Sequence, residues 1–467
     1  MQQLMQTLHQ MVWGPWTMVL FLGTGLFFTV RSGGFQIRGL PYWWRQTVGK
    51  VISGEENGSK DPRQAFDKKI TAFQSSCTAL AATIGTGNIV GVATALTAGG
   101  PGAVFWLWVS ALIGMATAYA ETSLGQKYRY RLPDGAWQCG PMVCMERGLG
   151  CKSMACLYAA FAVLASFGMG SMVQANAVSE TLRYEAGMKP DIAAVLVTAL
   201  TAAVIWGGIR RISRMTSWFM PLSAGIYVLF SVVVLILCRN SIVPVLLQIL
   251  KQAWTPGAAG GGVAGFLFSR SVRYGMARGV FSNEAGLGTL AVLHGAAEDT
   301  TPEEQGMWAM FEVFVDTIVI CTLTALVILC VERECALMAG GEEVWRIAAG
   351  LDGAALTSFC FTKILGSFGG FLVSASMAAF AFATIVGWYY IGRQMFSYLA
   401  EYLCPGANTE YLYTILYLLA VWLGCICRLE LVWLVSDLVN GLMAYPNLLT
   451  LWLLAGHVQF PKIKTEK

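Results

Sequence analysis

The sequence predicts an all-α polytopic membrane protein with about eleven transmembrane helices. Of its 467 residues, 56% are hydrophobic and only 12% charged, with a mean hydropathy of +0.59. A soluble chain of this length needs far more charge to cover its surface. Apolar runs recur at the roughly 20 residues that a hydrocarbon core of about 30 Å demands. One stretch, from Ile70 to Ala120, holds no Asp, Glu, Lys or Arg at all.

The runs fall at 11–30, 70–98, 101–127, 154–182, 190–208, 215–238, 262–296, 305–331, 364–390, 409–427 and 431–456. No Lys or Arg precedes the first, and no small-residue cleavage site follows it before Arg31, so it reads as a retained span rather than a signal peptide. Gly99-Gly100-Pro101-Gly102 makes the tight turn between the second and third. The thirteen Cys are scattered singly without metal-ligand spacing and read as small core-filling residues.

Charge sets the expected orientation. With alternating spans, one side collects eight Lys/Arg in 31–69, five in 127–153, then Arg210, Arg211, Arg214, Arg393, Lys462, Lys464 and Lys467; the other side holds eight. The positive-inside bias therefore places the N-terminus outside and the C-terminus in the cytoplasm. The loop 297–304 is an exception, being purely acidic on the basic side. The net charge of +4 belongs to loops, and neither a nucleic acid nor an obligate protein partner is implied beside the lipid bilayer.

Two spans are written to come apart. The span 70–98 carries Gly85-Thr86-Gly87-Asn88 and Gly91 at its middle, and the span 262–296 carries Gly279, Gly286 and Gly288 around Ser282, Asn283 and Glu284. Counted from residue 70, these are the first and sixth of ten spans, entering from opposite sides. Backbone groups freed at membrane depth cost several kcal/mol each unless satisfied inside the protein. Two such breaks at matching places point to a transport site between inverted repeats. Half-helix N-termini suit a carboxylate and unwound carbonyls suit a small cation. An α-amino acid carried with sodium meets both needs.

Other classes fit less well. The three His (His9, His294, His457) lie far apart with no HExxH or paired-carboxylate pattern. No phosphate-binding loop or repeated filter ring appears, so neither an enzyme, a primary pump nor a channel is expected. Proton coupling or exchange remains the alternative within transport, because Glu284 or Asp316 offers a carboxylate for a proton.

The motifs TALAATIGTGNIVGVATAL, GGPGAVFWLW, AYAETSLGQKYR, GPMVCMERGLG, GSMVQANAV, ARGVFSNEAGLG, ATIVGWYYIG and DLVNGLMAYPNLL run in order over nearly the whole chain. In them the sequence resembles the alanine/glycine:cation symporter family, the sodium:alanine symporters of prokaryotes. That resemblance implies sodium-driven uptake of alanine or glycine at a prokaryotic plasma membrane. It also implies a LeuT-like five-plus-five inverted-repeat core behind one extra helix: an N-terminal helix and basic loop (1–69), a first repeat (70–238), a second repeat (239–456) and a basic tail (457–467). No organic cofactor is implied, sodium being the coupling ion. The sequence departs from the family at Thr289-Leu290-Ala291, at Ala383-Thr384 and at Arg393; Ala383 offers no side-chain oxygen to an ion.

Carried onto this chain, the resemblance assigns the backbones of Thr86 and Gly87 to the substrate carboxylate and Asn88 to sodium. Gln174 is expected at the substrate's polar end, Phe281 as a lid, Asn283 and the Gly286 backbone as ligands, and Trp388 as the wall that limits side-chain size. Thr384, one turn before Trp388, is expected at a second sodium with the carbonyls of Ala81 and Ile84. Glu284 could receive the substrate ammonium or pair with Arg278, and the structural pair is the favoured expectation because the family's substrates need room there. Asp316 and Asp437 are functional suspects by depth alone.

Overall fold

The computed structural model describes residues 7–8, 11–54, 69–132, 135–254, 270–338, 350–404, 410–427 and 430–461. Helices dominate, and the longer ones are α1 Pro15–Arg31, α2 Ala72–Thr83, α3 Val90–Gly99, α4 Ala103–Tyr128, α5 Lys152–Ala186, α6 Pro190–Ile205, α7 Gly208–Leu237 and α8 Arg239–Ala253. The second half adds α9 Arg270–Asn283, α10 Thr289–His294, α11 Pro302–Met338, α12 Gly353–Leu365, α13 Ser367–Leu403, α14 Glu410–Ile426 and α15 Glu430–Leu453. Five of these, α4, α5, α7, α11 and α13, are each long and apolar enough to cross a membrane, and α2 with α3 makes a sixth such span bent by 64°. A two-residue hairpin, β1 Tyr130–Arg131 and β2 Trp137–Gln138, follows α4.

Local chemistry explains the starts and stops. Thr71 caps α2 in a capping box with Gln74, satisfying two orphan donors at once. The predicted turn after α3 forms, with Gly100 in a positive-φ conformation. Three boundaries differ from the sequence expectation. α13 runs on to Leu403, so Arg393 sits within a helix and not a loop. α7 begins at Gly208, placing Arg210, Arg211 and Arg214 in its first turns. α8 and α12 form where loops were expected: each is too short to span and is recognised only by what it packs on. The expected stretch 262–269 lies outside the described residues.

α5 and α11 each contain a wide π-helical turn, at Gly168–Met172 and Phe314–Cys321. Such turns mark places where a helix gives up regular bonding, frequently beside functional groups. The second lies against both breaks described below, and the first reaches toward one through Gln174, which bonds the Met169 carbonyl and Thr86. All thirteen Cys are free thiols.

The acidic loop 297–304 is matched at its own end of the bundle. Lys69 pairs with Asp299, Arg131 with Glu298 at 3.6 Å and Lys50 with Glu304 at 2.9 Å. Arg129 donates to the carbonyls of Gly295 and Ala297, and the Glu298 N–H donates to the Ile70 carbonyl. The exception in the charge count thus belongs to contacts between acids and bases at one end. Exposed pairs of this kind contribute little individually; together they join the neighbouring ends of α2 and α10. A cavity of about 650 Å³ opens at this end, lined by Lys69, Arg131, Trp137, Arg210, Arg393 and Gln394 among others, and by none of the expected binding residues.

Candidate transport site

The first break runs from Ile84, which leaves the helix with ψ of 93°, through Gly85 to a single tight turn at Thr86–Asn88. The Gly85 N–H, which in a continuous helix would bond the Ala81 carbonyl, turns instead to Asn88 Oδ1 at 3.1 Å. Among the described residues nothing accepts from the Thr86 and Gly87 N–H groups. Two adjacent amides and the carbonyls they abandoned are therefore available in the middle of an uncharged span. Gly85 is required by crowding: a Cβ there would lie 2.8 Å from Thr384 Oγ1.

The second break leaves α9 at Asn283. Glu284 takes a positive φ of 54°, unusual for a residue with a side chain, and Gly286 and Gly288 follow at 96° and 87°. These three left-handed positions turn the chain into α10 without a helical ladder. The Gly286 and Gly288 N–H groups donate to Glu121 Oε2 at 3.1 and 3.2 Å. Asn447 Nδ2 donates both to that oxygen, at 3.1 Å, and to the Gly286 carbonyl, at 2.9 Å. Tyr158 donates to the Leu287 carbonyl at 2.8 Å. This break is satisfied from within.

Asp316, in the wide turn of α11, joins the two breaks. Asn88 Nδ2 donates to its Oδ1 at 2.7 Å and to its carbonyl at 3.2 Å. Ser282 and Thr317 donate to its Oδ2 at 2.7 and 2.8 Å. All four side chains are buried, so an oxygen-rich, charge-bearing cluster sits where α3, α9 and α11 meet. That donor set suits a small hard cation.

Several expected residues do converge. Thr86 Oγ1 donates to Gln174 Oε1 at 3.3 Å, and Gln174 Nε2 donates to the Met169 carbonyl in the wide turn of α5 at 3.3 Å. Thr384 Oγ1 lies 3.4 Å from the Ile84 carbonyl and 3.0 Å from that of Phe380. The half-buried Phe281 ring faces Gly87, where a Cβ would stand 3.7 Å away, and Arg278 sits 5.5 Å from that ring's centre. Trp388 is wholly buried, as a residue of an interfacial aromatic belt would not be. It packs on Gly170, where a Cβ would come within 2.5 Å.

Others turn elsewhere. Glu284 does not meet Arg278: its carboxylate accepts from Thr289 Oγ1 at 2.6 Å and Trp388 Nε1 at 3.2 Å. Hydrogen bonds from groups already buried beside it replace the expected pair. Asn283 bonds Thr317 and the Ala285 N–H, and Gly286 has both backbone groups engaged, so in this conformation neither is offered to a substrate. Asp437 receives Trp13 Nε1 on its carbonyl at 2.8 Å, tying the segment before α1 to α15. Glu121, Asn447, Ser282 and Thr317 were missed by residue-level reading. The signal for the first two was present: each is a polar residue inside an apolar span, within AYAETSLGQKYR and DLVNGLMAYPNLL.

Two interrupted helices that meet over buried oxygens, within a bundle of apolar helices, define a multi-pass membrane transporter rather than an enzyme. The chain belongs to the sodium:alanine symporter family, whose model matches residues 1–463. It is 39% identical to the sodium/alanine symporter AgcS of Methanococcus maripaludis, over 97% of this chain and 95% of that one. It is likewise 39% identical to an uncharacterized transporter of Haemophilus influenzae, over 96% and 93%. A probable sodium/glutamine symporter, GlnT of Bacillus subtilis, is 32% identical over 97% and 89%. Among solved structures, MhsT in complex with L-phenylalanine aligns over 83% of this chain and 98% of its own, with 15% identity and a TM-score of 0.49, a likeness too remote to bear on the site.

Proposed function

We propose that the protein takes up small neutral amino acids, alanine or glycine, in symport with sodium by alternating access at a plasma membrane. One observation carries this reading: the adjacent Thr86 and Gly87 amides, unpaired among the described residues, beside the Asn88–Asp316 oxygen cluster. The amides receive the substrate carboxylate, and Gln174, Phe281 and Trp388 enclose its remainder. Sodium is held by Asp316 with Ser282, Thr317 and Asn88, whose Oδ1 turns to the ion from the Gly85 N–H that it accepts in this conformation. A second sodium lies by Thr384 Oγ1 and the carbonyls of Ala81 and Ile84. The names of AgcS and GlnT support sodium coupling and leave the side chain carried to the pocket. The two repeats, 70–238 and 239–456, rock about these breaks, with the N-terminus outside.

Proteoliposomes test the proposal. An imposed inward sodium gradient is expected to drive alanine accumulation whether or not a pH gradient is present. Equal uptake in potassium medium under a proton gradient would instead favour the proton-coupled reading, for which Glu284 or Asp316 is the carrier. A second expected result concerns Asn88→Leu, which removes the ion ligand at nearly constant volume. Sodium's apparent affinity falls by about 1–3 kcal/mol, and alanine affinity falls with it, because coupling between two sites is reciprocal. Sodium titration of purified variant at fixed alanine measures both; a lower yield with the original curve would assign Asn88 to packing.

A further inference from the structure

The two breaks are built alike but filled differently. Each exposes a pair of backbone N–H groups where a helix is interrupted. In the second, Glu121 Oε2 occupies that pair and accepts a third bond from Asn447. In the first, nothing among the described residues does so. Glu121 is the first charged residue after Lys69. It is buried, and its other oxygen, Oε1, has no hydrogen-bond partner. A carboxylate that concentrates three donors on one oxygen and spends nothing on the other is placed for the amide pair, not for general helix packing.

We propose that Glu121 is a built-in carboxyl group that fills the amide nest of the second break and so leaves, of the two breaks, the first for a cargo's carboxylate. The inference rests on the proposed reading of Thr86 and Gly87, and adds what fixes the cargo's orientation. Without this occupant, a free carboxylate would find two nests of similar chemistry, and the cargo would bind in two opposed directions. Glu121 is thus a positioning residue. It acts through Gly286 and Gly288 and does not touch the cargo. Asn447 and Tyr158 still hold the Gly286 and Leu287 carbonyls, so the nest keeps its shape when its occupant is changed.

Acetate replaces the atoms removed by Glu121→Ala, and is the probe. Purified full-length protein is heated in sodium chloride and in sodium acetate at one sodium concentration. The Ala variant is expected to unfold several degrees higher in acetate, saturably, beyond the smaller shift that acetate at the open first break gives the parent and Glu121→Gln alike. An Ala variant indifferent to acetate, or a parent that responds equally, overturns the proposal. The unaltered protein supplies a second measurement that needs no variant to fold. Without cargo, amide exchange at Gly286 and Gly288 is expected to be at least about tenfold slower than at Thr86 and Gly87, the scale of one hydrogen bond. Equal rates overturn the proposal. Adding alanine with sodium slows Thr86 and Gly87 alone. If alanine protects neither break while acetate still stabilises the Ala variant, the choice of cargo fails and the role of Glu121 stands.

Discussion

Asp316→Asn is expected to raise the sodium concentration for half-maximal binding by about 2- to 30-fold. The substitution keeps the shape of the side chain and an oxygen for Asn88 Nδ2, while the Ser282 and Thr317 hydroxyls can reorient toward an amide. What disappears is the charge. Interactions with a charged group contribute about 1.5–3 kcal/mol where neutral ones give about 1, and each 1.4 kcal/mol is a factor of ten. Alanine affinity measured at fixed sodium falls in step. The measurement is a sodium titration of purified protein at several alanine concentrations. A variant with normal yield and an unshifted sodium curve would make Asp316 a strut between α3, α9 and α11 and nothing more.

Trp388→Ala is expected to have the largest effect on stability and to change which cargo is accepted. The indole is wholly buried, and truncating a core Trp to Ala costs about 3–5 kcal/mol. The loss of its N–H also leaves one Glu284 oxygen without its donor, and Gly170, having no side chain, cannot fill the space. The surviving protein should transport alanine more weakly and admit valine and leucine, seen as new competition against labelled alanine. Trp388→Phe keeps most of the ring and removes the donor, so it should be milder on both counts. An unchanged competition profile in the Ala variant would mean that the indole supports α5 and α13 without bordering the cargo.

Most of the architecture was legible in the sequence because hydrocarbon imposes a one-dimensional rule. A run of about 20 apolar residues must become a helix there. Each predicted span within the described residues falls on a helix or, at 70–98 and 262–296, on two helices about a break. Five of the helices and the α2–α3 pair are long and apolar enough to cross. The two breaks were legible for the same reason. Gly85-Thr86-Gly87-Asn88 and Gly286-Leu287-Gly288 are combinations that a continuous apolar helix has no use for. The short helices α8 and α12 were not legible, since they are too short to span and are stabilised by the bundle against which they lie.

The sequence by itself determined the class of protein and the placing of both breaks, and it offered as candidates Thr86, Asn88, Gln174 and Thr384, which lie together about the first. Only the tertiary structure decided which carboxylate serves which break. Glu121, Glu284 and Asp316 look alike in sequence, each a lone acid in an apolar run. Asp316 bridges Asn88 and Ser282, Glu121 fills the second break, and Glu284 turns to Trp388 and Thr289 instead of Arg278. The physical reason is that a buried carboxylate goes to whichever donors packing brings within about 3 Å. Here those donors lie 104 positions away for Glu284 and Trp388, 165 for Glu121 and Gly286, and 228 for Asn88 and Asp316. No local pattern encodes separations of that length.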